Sequence, residues 1–239
     1  MIKKWINLIA FKLGLSRHER TYGTLNLIKF NPVFHLYPGT IIYCHGGFGK
    51  LYHVPDIIKE LVTNGYNISY IAYNDDPDVV EPNILNDIDD IRVALHVSDS
   101  PIYLMGVSRG AYVALQSATI LQNQKINKII DIVGPVKESW KEDVDPKTRE
   151  ELSRLFPYFY TIPFPFEKLD KIANIPILAV YGKMDNVVPL VQGRAIHDSF
   201  IIKDLTYFES NSGHGCLTDD PNVLKYILNF LRSNNGYMA

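Results

Sequence analysis

From residue 24 onward, short runs rich in β-branched and aromatic residues alternate with stretches of helical periodicity. That alternation constrains the fold more than any other feature of the chain. The strand-like runs are TLNLIKF (24–30), GTIIYCHG (39–46), YNISYIAYN (66–74), PIYLMGVS (101–108), INKIIDIVG (126–134), IPILAVYG (175–182) and LTYFES (205–210). The helical stretches are VPDIIKELVTNG (54–65), ILNDIDDIRVALHV (84–97), RGAYVALQSATILQN (109–123), LVQGRAIHDSF (190–200) and NVLKYILNFLRS (222–233). Apolar strands separated by helices imply an α/β fold with a doubly wound, mostly parallel sheet, covered on both faces. With 239 residues, 46% of them hydrophobic, the chain is long enough to bury one large core.

Residues 135–173 break this rhythm. VKESWKEDVDPKTREEL is charged and reads as helical after Pro146, while FPYFYTIPFPF (156–166) combines aromatic residues with three prolines. The expectation is a short helical and aromatic insertion over the carboxyl ends of the strands, lining an apolar substrate pocket.

Residues 1–23 read as an N-terminal segment apart from the domain at 24–239. Ile2, Trp5, Ile6, Ile9 and Leu13 recur at helical spacing and share one face. The expectation is a helix packed on the domain or on a second subunit, as in a homodimer. The rival reading is weak contact of residues 1–15 with a membrane surface, with Trp5 and the lysines at the headgroups. Lys12 interrupts the apolar stretch and no small-x-small cleavage site follows, so the segment does not read as a secretion signal. Two cysteines, Cys44 and Cys216, are too few for a disulfide scaffold and fit buried thiols in a reducing, cytoplasmic compartment. A net charge of -2 offers no basic excess for nucleic acid.

The stretch LMGVSRGAYVAL (104–115) carries the chemistry. Gly106-Val107-Ser108-Arg109-Gly110 is a G-x-S-x-G set between a strand and a helix. At a turn this tight the flanking positions have no room for side chains, and the serine hydroxyl projects above the sheet. A serine needs a base, and the base needs an orienting acid. In doubly wound sheets with this elbow, the chain order is serine, then acid, then histidine. Asp185 lies three residues past the strand at 175–182, and His214 just past the strand at 205–210, between Gly213 and Gly215. Asp219 and Asp220 come after His214 and break that order, and Asp131 lies within a strand. His96 and His197 fall in helices, and His18, His35 and His53 precede the serine. The loop CHGGFGK (44–50) follows a strand in the position that supplies an oxyanion donor. Gly47 N–H and Arg109 N–H are the candidate donors, with Phe48 next in line. The Arg109 side chain is expected on the surface, capping local carbonyls; the alternative is that it pairs with a substrate carboxylate. No spacing suited to a metal is present, and the chemistry requires no metal and no organic cofactor.

With HGGF (45–48), GVSRGA (106–111), YGKMDNVVPLVQGRAI (181–196) and SGHG (212–215) in this order, the sequence resembles the α/β-hydrolase superfamily. Within it, the chain is similar to the prolyl-oligopeptidase-like and dienelactone-hydrolase-like esterases and peptidases. The resemblance covers roughly residues 24–233 and is most pointed at the run from Asp185 to Gln192. It departs at Ala111, where a second glycine is often found, and no β-propeller precedes the catalytic part. The resemblance implies Ser-His-Asp acyl-enzyme hydrolysis of a small-molecule carboxylic ester or thioester. The alternatives are a short-peptide or amide hydrolase and a non-catalytic, ligand-binding member of the fold.

Overall fold

Among the residues that the computed structural model describes (2–22, 25–47, 55–72, 84–155 and 163–233), eight strands pair into one sheet. In chain order they are β1 (Arg17–Tyr22), β2 (Leu25–Phe30), β3 (Thr40–Cys44), β4 (Asn67–Ala72), β5 (Ile102–Val107), β6 (Ile126–Ile132), β7 (Ile177–Gly182) and β8 (Leu205–Ser210). Across the sheet the order is β1-β2-β4-β3-β5-β6-β7-β8. Strands β3 to β8 are parallel, and β2 runs antiparallel to both β1 and β4. The doubly wound, mostly parallel sheet expected from the sequence is therefore present.

The helices are α1 (Ile2–Lys12), α2 (Asp56–Thr63), α3 (Ile84–Val97), α4 (Arg109–Leu121), α5 (Trp140–Asp143), α6 (Pro146–Leu155), α7 (Leu190–Ser199), α8 (Cys216–Asp219) and α9 (Pro221–Arg232). Strand side chains alternate between two apolar layers, as the pleat dictates. In β3, Ile42 and Cys44 face a layer shared with α3, α4 and α7. Ile41 and Tyr43 face the opposite layer, shared with α2 and α9. Both layers are filled, which is why the central strands read as unbroken apolar runs. One charged side chain enters the second layer. Lys128, on β6, sends its ammonium to the carbonyl of Phe230 at 2.6 Å, at the C-terminal end of α9, where the helix dipole favours a cation.

The sequence pattern does not reveal β1. Its residues, RHERTY, are charged and mostly exposed, and the strand exists because its backbone pairs with β2 from Arg17↔Phe30 to Tyr22↔Leu25. It forms the edge of the sheet, where charged side chains discourage further pairing.

α1 forms as expected but docks by a different face. Asn7 and Ala10 are its buried residues. The Asn7 side chain donates to the Phe34 carbonyl at 3.0 Å and accepts from the Phe34 N–H at 2.8 Å. The Phe11 ring lies tilted against that of Phe30, with centroids 5.7 Å apart. The face bearing Ile2, Trp5, Ile6 and Ile9 is exposed, so two satisfied backbone groups at Phe34, and not the apolar stripe, set the orientation of the helix.

In the insertion, α5 and α6 are followed by a 3-10 helix, Pro165–Ile172. Residues 156–162 of the aromatic run lie outside the described residues. Phe164, in the same run, packs inward. It is buried in the layer beneath α4, edge-on to Tyr112 at 5.2 Å.

Candidate active site

The strand ends of β3, β5, β7 and β8 converge on Ser108. The serine follows β5 directly and has φ 54° and ψ −121°, a setting that costs a non-glycine residue about 1–3 kcal/mol. Backbone bonds hold it there. Its N–H donates to the Ile132 carbonyl at 2.8 Å, and its carbonyl accepts from Ala111 N–H at 2.9 Å and Tyr112 N–H at 3.1 Å. The two flanking glycines have a direct steric cause. A Cβ on Gly106 would lie 2.3 Å from the Gly110 carbonyl oxygen, and a Cβ on Gly110 would lie 2.1 Å from that of Cys44. Any side chain at either position would push β3, β5 and α4 apart.

The structure brings the three residues singled out in the sequence into one hydrogen-bonded chain. His214 Nε2 lies 3.0 Å from Ser108 Oγ, and His214 Nδ1 lies 2.8 Å from Asp185 Oδ2. The Asp185 side chain is fully buried, while that of His214 is 31% exposed. Asp185 Oδ1 accepts from the N–H groups of Val187 at 2.8 Å and Val188 at 2.9 Å. Those two bonds fix the carboxylate plane, so the other oxygen is aimed at the imidazole. An imidazole held this way presents an unprotonated Nε2 to the hydroxyl, which is the tautomer that can take its proton.

Asp220 and His197 are occupied elsewhere, and His53 lies outside the described residues. Asp220 accepts from Ser210 Oγ at 2.7 Å and caps α9. His45 is buried, with Nδ1 2.6 Å from the Gly46 carbonyl and its ring stacked on Tyr70. His197 pairs at the surface with Asp198.

The loop after β3 abuts the elbow, since a Cβ on Gly46 would lie 3.3 Å from the Val107 carbonyl oxygen and 3.5 Å from Ser108 Cβ. Gly47 follows in a turn, and Arg109 is the first residue of α4. Helix-start N–H groups have no intrahelical acceptor and favour negative charge. Phe48, the further candidate donor, lies outside the described residues.

The Arg109 side chain is neither a surface cap nor open to substrate. It is 3% exposed, and its Nη2 lies 2.5 Å from Asp87 Oδ2, on α3, in a buried ion pair. Sequence reasoning missed Asp87, because its partner lies 22 positions away and a buried charge reads in a sequence like a solvated one. Gln192, the last residue of the motif at 185–192, has a clear task. Its Oε1 accepts from the N–H groups of Val136 and Lys137 at 2.9 and 2.8 Å, and its amide donates to Asp143 at 2.6 Å. Trp140 Nε1 donates to the Val187 carbonyl at 2.8 Å. Together these bonds fasten the start of the insertion to the loop that carries Asp185.

Asp131 sits within β6 and is bound to other partners. Its Oδ1 accepts from Gly134 N–H at 3.1 Å. Tyr181 Oη lies 2.6 Å from Asp131 Oδ2 and 2.7 Å from the Gly134 carbonyl. A phenol has one proton, so both contacts are satisfied together when Asp131 is protonated and donates to the phenol. Burial pushes the Asp131 carboxyl up to about 7, in agreement with that arrangement. The bonds close around Val133, whose φ of 49° is strained for a β-branched residue. Because the folded state raises this pKa from 3.8 to about 7, the stabilisation is complete below pH 4 and is lost as pH rises through 7. Asp131→Asn keeps each bond without titrating. Between pH 5 and 8 the wild type is therefore expected to lose about 2–3 kcal/mol more stability than the variant, read from urea midpoints. Parallel pH profiles for the two proteins would show that Asp131 is ionised throughout.

No protein-family model matches the sequence, and no curated protein matches it. Solved structures do resemble it. A bacterial membrane phospholipase A superposes with a TM-score of 0.72 over 95% of this chain and 91% of its own, at 14% identity. A puromycin-hydrolyzing peptidase from Mycobacterium tuberculosis gives 0.71 over 90% of this chain but 39% of its own, at 17% identity. Mouse alpha/beta hydrolase domain-containing protein 10 gives 0.65 over 90% of this chain and 98% of its own, at 16% identity. The parallel sheet, the strained turn after β5 and these superpositions lead to one conclusion: the chain has the α/β-hydrolase fold.

Proposed function

We propose that the protein is a serine hydrolase that cleaves a carboxylic ester or thioester of a small molecule. The observation that carries this reading is His214 bridging Ser108 at 3.0 Å and Asp185 at 2.8 Å. In the proposed reaction Ser108 Oγ attacks the carbonyl carbon as its proton passes to His214 Nε2. The imidazolium so formed is stabilised through Nδ1–H by buried Asp185. Negative charge gathers on the carbonyl oxygen, where Gly47 N–H and Arg109 N–H donate to it. The C–O or C–S bond then breaks, and the leaving group takes the proton from Nε2. Water attacks the acyl-enzyme with His214 again as base, and the acid departs as Ser108 regains its proton.

Support for the ester reading comes from a neighbour matched over most of its own length. The phospholipase A is matched over 91% of its length, the puromycin-hydrolyzing peptidase over 39%. The test pairs two measurements on purified protein. A fluorophosphonate probe is expected to label Ser108, and p-nitrophenyl acyl esters are expected to turn over faster than aminoacyl anilides. Anilide turnover that outpaces ester turnover would assign a peptidase. Failure to label well-folded protein would leave only the ligand-binding reading of the fold.

A further inference from the structure

The face of α1 that the fold leaves outward is its most apolar one. Ile2, Trp5, Ile6 and Ile9 on the helix, with Leu13 and Leu15 just beyond it, are between 37% and 77% exposed. At about 100° per residue the four helical positions span roughly a 100° arc, and Asn7, at the buried contact, lies about 140° from Ile2. We propose that this face seats the protein on an anionic lipid surface.

Charge points to that partner. Residues 1–22 carry five Lys or Arg against one Glu, a net of +4 in a chain whose total is -2. Lys3 and Lys12 on α1 and Arg20 on β1 are exposed, and Arg17 pairs with Glu19. Trp5, 64% exposed, has the amphipathic ring suited to the headgroup level. A second copy of the chain fits this face less well, because apposing two α1 segments would bring two such positive clusters together. The helix lies on the bilayer and does not cross it. It has 11 residues, and no helix among the described residues is long and apolar enough to span a membrane.

The face is also displayed at little conformational cost. α1 is already folded and is held by Asn7 on Phe34 and by Lys4 on Asn64 at 2.7 Å. Binding therefore orders no new segment. Phe34 and Asn64 precede β3 and β4, so α1 is fastened near the strand starts, whereas Ser108 follows the end of β5. Lipid contact at α1 and chemistry at Ser108 then occupy opposite edges of the sheet.

The test is sedimentation of the full chain with phosphatidylcholine vesicles, alone or doped with phosphatidylglycerol. The wild type is expected to sediment with the anionic vesicles and to be released by salt. The double variant Trp5→Ser/Ile9→Ser alters exposed side chains only and is expected to lose at least about tenfold in partitioning. Lys3→Glu/Lys12→Glu is expected to abolish the preference for anionic lipid. Turnover of a soluble ester or, failing activity, an unchanged melting curve confirms that each variant is folded. Recovery of Trp5→Ser/Ile9→Ser with vesicles at the wild-type level would overturn the proposal. So would absence of binding by the wild type, including the case where light scattering shows a dimer that this variant dissociates, which would assign the face to a second copy.

Discussion

Ser108→Ala is expected to lower kcat for ester hydrolysis by about 10⁶-fold, and adding His214→Ala to it is expected to lower kcat little further. In the proposed mechanism nucleophile and base act as one unit, so removing either removes the covalent route. What is expected to persist is the assistance of the proposed donors at Gly47 and Arg109, on the order of 10³-fold over water. Asp185→Asn is the more searching variant. The N–H groups of Val187 and Val188 both point at Oδ1 of residue 185. In the variant they hold the amide oxygen of the introduced side chain and turn its NH₂ toward His214. An NH₂ facing Nδ1 requires that nitrogen to accept, which leaves the proton on Nε2, aimed at Ser108. That tautomer cannot take the hydroxyl proton, so kcat is expected to fall about 10⁴-fold with the hydrogen bonds intact. Melting curves are expected to stay near wild type while turnover collapses. A kcat within about tenfold of wild type would show that Asp185 does not set the tautomer.

What the sequence made legible follows from how local its causes are. Gly106 is required within the turn itself, where a side chain would meet Gly110 and Ala111, and Gly110 by the carbonyl of Cys44 on the adjacent strand β3, a neighbour that the parallel sheet supplies, so the turn announces itself in five residues. Asp185 and His214 each follow a strand, and in a parallel sheet strand ends gather at one edge, so placing the strands also places the side chains. The features that were not legible depend on distant partners. β1 is a strand only because β2 pairs with it, and its charged sequence fits the edge position that the pairing creates. The orientation of α1 depends on Asn7 finding two backbone groups at Phe34, which outweighs an apolar stripe of five residues. Phe164 belongs to a run that reads as a pocket lining, yet Tyr112 and Trp140 draw it into the core.

The Arg109–Asp87 pair carries the second large effect. Both residues are buried, at 3% and 5% exposure, and they tie the first turn of α4 to the first turn of α3. Asp87→Ala removes the carboxylate and leaves the guanidinium buried without that counter-charge. The expected loss is about 3–5 kcal/mol, a large part of the roughly 5–15 kcal/mol that holds a domain together. Urea midpoints measure it. If the loss comes from the missing Asp87 counter-charge, Asp87→Ala/Arg109→Met should recover most of it, because Met fills much of the volume and needs no counter-ion. If it comes from a cavity alone, the double variant will be no more stable than the single. The pair also bears on the proposed chemistry, since the backbone N–H of Arg109 opens α4 beside Ser108. A change in the start of α4 that misaligns this donor is expected to cost up to about 10²–10³-fold in kcat, and KM should change far less. In the double variant, recovered stability with kcat still depressed would show that the ion pair aligns the oxyanion donor. Recovery of both together would show that it serves the fold alone.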